Sequence, residues 1–284
     1  MVVSLHRPSD FASYNRFVKR NHRPPLGQVF LTDKRLADRI VRSLCLKPDD
    51  AVLEIGAGPG NMTEKLAETG ASVWAVEIDS RWADKLKEKF PTAPHVRILQ
   101  ADILTVPLDQ IANQAGREKI RVFGNLPYYI TSPCLLHLFH YHPWIDEIIV
   151  MVQYEVAQRI VAMPGDEDYG LLSLTCRYYT EPSLLFPVPA KAFRPVPKVK
   201  SAIVRMRISV QKDRLGIKDE ETFWRWMKAA FSQRRKTLIN NWKTLCDPER
   251  LAAVMDQAGV DRKERAENLS LEQLVSLMKA AHPN

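Results

Sequence analysis

The sequence predicts an α/β protein: a mostly parallel, seven-stranded sheet covered by helices on both faces, followed by a small all-helical part. Three observations carry that expectation. Short apolar, β-branched runs alternate with helically spaced segments through the first half of the chain. A glycine-rich turn follows the first of these runs directly. Beyond about residue 210 the spacing becomes purely helical. The composition, 45% hydrophobic and 26% charged over 284 residues, is that of a globular protein and excludes a disordered or fibrous chain. No run approaches the roughly 18 apolar residues needed to cross a bilayer, so no membrane partner is expected and the protein is placed in the cytoplasm. Cys45, Cys134, Cys176 and Cys246 are scattered without a CxxC pair, which suggests reduced thiols and no metal site.

Residues 1–24 mix Arg7, Arg16, Lys19, Arg20 and Arg23 with prolines and form a basic arm. Asp33 to Leu46 has helical spacing at Leu36, Ile40, Val41 and Leu44. Strands are expected at Ala51–Ile55, Ser72–Val76, Val96–Gln100, Arg121–Phe123 and Glu147–Val152, with helices at Asn61–Glu68 and Ser80–Lys89 between them. Leu171–Tyr179 and Ser201–Ile208 look like two further strands closing one edge. Glu221–Trp242, Pro248–Ala258 and Leu271–Ala281 are expected helices, with Trp224, Trp226 and Trp242 packing inside them. The expected units are thus the arm at 1–24, an α/β domain at 25–209 and a helical domain at 210–284.

Charge is distributed unevenly. Residues 191–243 hold 15 Lys or Arg against 4 Asp or Glu, a net of +11, and residues 1–24 carry +4. The whole chain carries +8, so the remainder carries −7. Two basic segments on an acidic body fit a polyanionic partner such as nucleic acid, or else two solvated faces.

In AVLEIGAGPGNMTEKL, Gly56, Gly58 and Gly60 lie between a strand and a helix, where a missing Cβ permits a tight turn and close approach of a ligand. Glu77 ends the next strand, 21 positions after Gly56, and can accept hydrogen bonds from ribose hydroxyls. Asp102 follows the third strand within reach of an adenine amine. A dinucleotide fingerprint would read GxGxxG, but the third glycine comes one position early and Asn61 takes its place. The GxGxG spacing with Glu77 and Asp102 fits S-adenosylmethionine better; a structural turn is the alternative.

The fourth strand runs into GNLPYYI. An exocyclic amine has its lone pair delocalised into the purine ring, so acceptors at its hydrogens favour a pyramidal, nucleophilic nitrogen. The Asn125 side-chain oxygen and a nearby backbone carbonyl would supply them. Pro127 lacks an N–H and fixes φ, and Tyr128 can stack on a base. A structural Asn-Pro turn is the alternative reading.

LGQVFLTD, EIGAGPGNMT, VFGNLPYYITSP, AFRPVPKVKSAIVRM, FSQRRKTLINN and RAENLS occur in this order. Together they resemble the KsgA-type ribosomal RNA adenine dimethyltransferase family over about residues 26–270. The resemblance implies a class I (Rossmann-like) S-adenosylmethionine-dependent methyltransferase domain followed by a helical RNA-binding domain. It implies that N6,N6-dimethyladenosine is made at two adjacent adenosines in the 3′-terminal hairpin loop of small-subunit (16S) rRNA, within a nearly assembled pre-30S particle, by a monomer. Gly56, Gly58, Glu77, Asp102 and Asn125 would then hold the cofactor, with Leu31 and Val29 closing over it. Val29 stands where relatives carry Asn or His, which leaves backbone contact only. Asn125, Leu126, Pro127 and Tyr128 match the amine-handling tetrapeptide, and Phe193 an aromatic sandwiching the base opposite Tyr128. The family carries the cluster Arg234, Arg235 and Lys236, here on an expected helix, and Arg207, Lys198 and Lys200 lie nearby in sequence; contact with RNA phosphates is expected, with a solvated helical face as the alternative. An assembly factor, a DNA adenine methyltransferase and the large-subunit, erythromycin-resistance type of enzyme are the rivals.

Overall fold

The computed structural model describes residues 29–127 and 130–282. A seven-stranded sheet has the order β4-β3-β2-β5-β6-β9-β7, with β2 to β6 mutually parallel and β9 antiparallel to both its neighbours. Its strands are β2 (Ala51–Ile55), β3 (Ser72–Glu77), β4 (Val96–Gln100), β5 (Ile120–Asn125), β6 (Ile145–Gln153), β7 (Thr180–Val188) and β9 (Ser201–Ile208). A separate antiparallel pair joins β1 (Phe30–Leu31) to β8 (Phe193–Arg194).

Period-two alternation sends neighbouring residues to opposite layers. Leu53, Ile55, Val122, Ile148 and Val150 pack beneath α4 (Leu108–Gln114), α5 (Thr131–His140) and α6 (Tyr154–Val161). Val52, Val73, Phe123, Ile149 and Met151 face α1 (Lys34–Leu44) and α2 (Asn61–Ala67). Helix α3 (Ser80–Lys89) lies between β3 and β4 in the chain. The α1 termini are both satisfied. Asp33 caps the start by accepting the Leu36 N–H at 3.1 Å. At the end, Arg121 donates to the Leu44 and Cys45 carbonyls and Arg205 to that of Ser43.

Two expectations are corrected here. Leu171–Tyr179 is a helix, α7, and the edge strand is the following Thr180–Val188. A short apolar run fits either structure by periodicity, and tertiary packing decides. Leu174 and Tyr178, four apart, enter the helical core while Cys176 faces the sheet. The prolines of β7, Pro182 and Pro187, are tolerated because this strand forms the sheet edge.

The second correction concerns Glu221–Trp242, which is not one helix but α8 (Glu220–Ala230) and α9 (Leu238–Trp242). Thr237 caps α9 by accepting the Asn240 N–H at 3.3 Å. The Asn241 amide donates to the carbonyls of Ala230 and Gln233 at 2.6 and 3.2 Å, closing the end of α8. With α10 (Pro248–Gln257) and α11 (Leu271–Ala281), these helices bury Phe223, Trp226, Trp242, Leu251 and Leu274. The Trp242 indole N–H donates to the Trp226 carbonyl at 2.9 Å. The helical core therefore draws on residues well before 210, and Leu174→Ala should destabilise the protein by about 2–5 kcal/mol in denaturant titration. A change below about 1 kcal/mol would show that α7 packs loosely on it.

Candidate active site

The carboxyl ends of β2 to β5 converge on one edge of the sheet, where parallel strands leave a crevice for ligands. After β2, Gly56, Gly58 and Gly60 adopt φ of +74°, +51° and +80°, a region that side chains with a Cβ rarely enter. A Cβ on Gly58 would lie 2.8 Å from the Phe30 ring, which rests over the loop and meets Trp82 edge-on at 5.1 Å. Glycine here meets both a conformational and a steric demand.

Glu77 is 5% exposed, and both carboxylate oxygens are fixed by backbone amides: Oε2 accepts the Gly58 N–H at 2.8 Å and Oε1 the Asp79 N–H at 2.9 Å. Charge-assisted bonds of this kind hold a buried carboxylate in one orientation. Asp102 caps the turn at Ile103–Thr105 through the Leu104 N–H.

Val29–Leu31 crosses above the loop. The Asn61 amide donates to the Leu31 carbonyl at 3.1 Å and the Asn125 amide to the Val29 carbonyl at 3.4 Å. The Val29 backbone carbonyl, expected to face the cofactor, accepts this bond from Asn125. Asn125 ends β5 opposite Met151 on β6. The Leu126 N–H donates to the Met151 carbonyl, and the Leu126 side chain lies so close to Gly124 that a Cβ there would meet it at 2.8 Å. The Pro127 carbonyl accepts the Ile130 N–H and the Thr131 hydroxyl, committing it to the start of α5. Tyr128 lies outside the described residues, as does the arm at 1–24.

The structure places five other expected residues, Phe193, Arg207, Arg234, Arg235 and Lys236, outside the lining of the cavity. Phe193 is 1% exposed in the cluster that holds Leu31 and Met151. Pairing of β1 with β8 sets Leu31 opposite Phe193, so the ring supports the segment above the cavity and presents no free face for stacking. Arg207 sits at the far end of β9, opposite Glu147 at the start of β6, and its guanidinium lies 3.4 Å from that carboxylate. Arg234, Arg235 and Lys236 occupy the exposed turn between α8 and α9, not a helix. Arg234 is held there by Glu267 at 3.4 Å and by the Glu167 carbonyl at 2.6 Å.

One residue was missed. Glu54, in the middle of the otherwise apolar β2, is 2% exposed, and its Oε2 has no hydrogen-bond partner among the described residues. With Phe30, Leu31, Gly56, Asn125 and Met151 it lines a small cavity of about 30 Å³. Burial pushes its carboxyl up to about 7; Thr63 opposes the shift and the nearby Glu77 carboxylate adds to it. A charged residue in a strand buried on both faces is the signal that could have found it.

A family model described as ribosomal RNA adenine dimethylase matches residues 19–282. The chain belongs to this family. Among its relatives, the "Ribosomal RNA small subunit methyltransferase A" of Koribacter versatilis is 41% identical, covering 89% of this chain and 92% of the relative. The protein so named from Acidobacterium capsulatum is 40% identical, covering 92% of each. A solved 23S rRNA methyltransferase, ErmE, is 28% identical with a TM-score of 0.66, covering 89% of this chain and 99% of that one. A dimethyladenosine transferase from Plasmodium falciparum shares the fold at a TM-score of 0.72 and 23% identity, covering 87% and 95% of the two chains. As a ribosomal RNA adenine dimethylase the chain is a methyltransferase that uses S-adenosylmethionine. The residues fit that cofactor: the positive-φ glycine loop, the anchored Glu77 beside it, and the unpaired oxygen of Glu54 at its floor.

Two outcomes are expected. Gly58→Ala should lower cofactor affinity at least tenfold by calorimetry, with the fold retained in circular dichroism; unchanged affinity would exclude close approach to the loop. Glu54 binds its proton more tightly when folded than its ordinary carboxyl value of 4.5, so stability of the cofactor-free protein should fall as pH rises from about 4.5 to about 7. Glu54→Gln should remove that part of the slope in thermal melts, and an identical profile would show that the carboxyl is solvated.

Proposed function

We propose that this chain dimethylates the N6 amines of two adjacent adenosines in the 3′-terminal hairpin loop of small-subunit rRNA. It acts as a monomer on a nearly complete pre-30S particle in the cytoplasm. The observation that carries the reading is Asn125 at the end of β5. Its amide nitrogen is turned toward the Val29 carbonyl, which leaves Oδ1 to accept a hydrogen from the target amine. The carbonyl of Leu126 is the second acceptor, because that of Pro127 is already engaged in the turn.

When bound, the cofactor supplies an electrophilic methyl group on a sulfonium sulfur. Glu77 would hold the ribose hydroxyls and Asp102 the adenine amine. Glu54, with one oxygen unpaired, offers the counter-charge for the α-ammonium group. Two acceptors on the amine hold its lone pair in line with the methyl, and such alignment is worth up to roughly 7–11 kcal/mol where orientation is ideal. After transfer the cationic nitrogen gives up its proton to water, restoring a neutral amine. A second passage through the same site gives the dimethyl product. A loop adenosine leaves its stack more readily than a paired one, which favours hairpin RNA over duplex DNA.

The small-subunit names of relatives near 40% identity favour that subunit over the large one, the substrate named for the less similar ErmE. In the test, purified protein and labelled S-adenosylmethionine are incubated with undermethylated small and large subunits. Label should enter small-subunit RNA only, and Asn125→Ala should reduce the rate on the order of 10²-fold or more, as removal of a positioned polar group typically does. Label in large-subunit RNA, or a fully active Asn125→Ala protein, would overturn the reading.

A further inference from the structure

The segment between β8 and β9 has no part in the site described so far, yet it stands at its mouth. At one end, the Ala192 carbonyl accepts the N–H groups of Thr32 and Asp33, next to the strand that crosses the glycine loop. At the other, Ser201 pairs with Gln153 at the end of β6, and the Tyr154 N–H donates to the Lys200 carbonyl at 3.1 Å. Strand β6 is the direct neighbour of β5, where Met151 faces Asn125. Residues 194–200 therefore pass the carboxyl end of β6 one strand from Asn125, on the side away from β3 and β4.

The chemistry of this segment is uniform. Arg194, Lys198 and Lys200 are exposed, and among the described residues none is paired with a carboxylate. Arg194 donates to the backbone carbonyls of Lys191 and Phe193 only, and the Lys200 ammonium lies 3.8 Å over the Tyr154 ring. Val196 and Val199 are 58% and 40% exposed, two of the few large apolar side chains open to solvent among the described residues. Pro195 and Pro197 restrict the backbone, so little order remains to be gained on binding. Further along the same basic stretch, Arg205 and Arg207 both face Glu147 and Arg234 faces Glu267, while Arg235 and Lys236 are exposed with no carboxylate partner among the described residues.

We propose that residues 194–200 are a phosphate-binding edge that receives the single-stranded RNA flanking the target adenosine. The proposal rests on the methyltransferase reading above and adds the surface that guides the strand. Arg194, Lys198 and Lys200 meet successive phosphates, and Val196 and Val199 lie against the sugars and unstacked bases between them. The strand is thereby led across the end of β6, so that an unstacked base arrives at Asn125.

The test uses a fluorescent RNA hairpin with an adenosine-containing loop, bound to the full chain over a range of salt concentrations. Lys198→Ala with Lys200→Ala should weaken binding at least tenfold at low salt. It should also reduce the slope of log K against log salt by about 1.4, at roughly 0.7 per single-strand phosphate released. Arg194→Ala should reduce it by about half as much, and Arg207→Ala, whose charge faces Glu147, should leave it unchanged. Cofactor uptake by calorimetry should match wild type in all of these. If the slopes stay unchanged while cofactor uptake and methylation persist, the edge is excluded and the methyltransferase reading stands. Failure of the unaltered protein to take up cofactor would instead strike the reading itself.

Discussion

The Glu77 carboxylate is the interaction on which the rest of the site depends. Burying an ionised group is costly unless strong donors surround it, and here two backbone amides, those of Gly58 and Asp79, are aimed at its two oxygens. Those bonds tie the turn after β2 to the turn after β3. They fix where the glycine loop lies and hold the carboxylate in one orientation beside its positive-φ residues.

A second layer of constraint comes from above. The short β1–β8 pair, the Asn61 bond to Leu31 and the Asn125 bond to Val29 stitch residues 29–31 across the loop. Arg121 and Arg205 hold the carbonyl end of α1, the helix that follows this segment. Asn125 is thus oriented by a chain segment remote in sequence. The roles of the crossing segment and of the reacting end cannot be separated physically.

Much of this was legible in the sequence. Five parallel strands stood out because strands buried on both faces read as apolar, β-branched runs. Gly56, Gly58, Glu77 and Asp102 were legible because spacing alone puts them at strand ends. Leu171–Tyr179 was misread because its apolar positions divide between two cores, which blurs a helical period. The break before Arg234 carries no glycine or proline; it is made by Thr237 and Asn241, whose capping bonds depend on the packed helices. The burial of Phe193 comes from the pairing of β1 with β8, which nothing in its local sequence reveals. Glu54 was overlooked although a lone acid in AVLEI contradicts its surroundings.

The proposed reaction places an amine between Asn125 and the Leu126 carbonyl, facing a methyl donor over the glycine loop. The most direct measurement is mass spectrometry of ribosomal RNA from otherwise identical cells with and without the gene for this chain. The account predicts N6,N6-dimethyladenosine at two neighbouring positions near the 3′ end of small-subunit RNA in the first cells and unmodified adenosine there in the second. Equal modification in both, or a difference confined to another RNA, would contradict it.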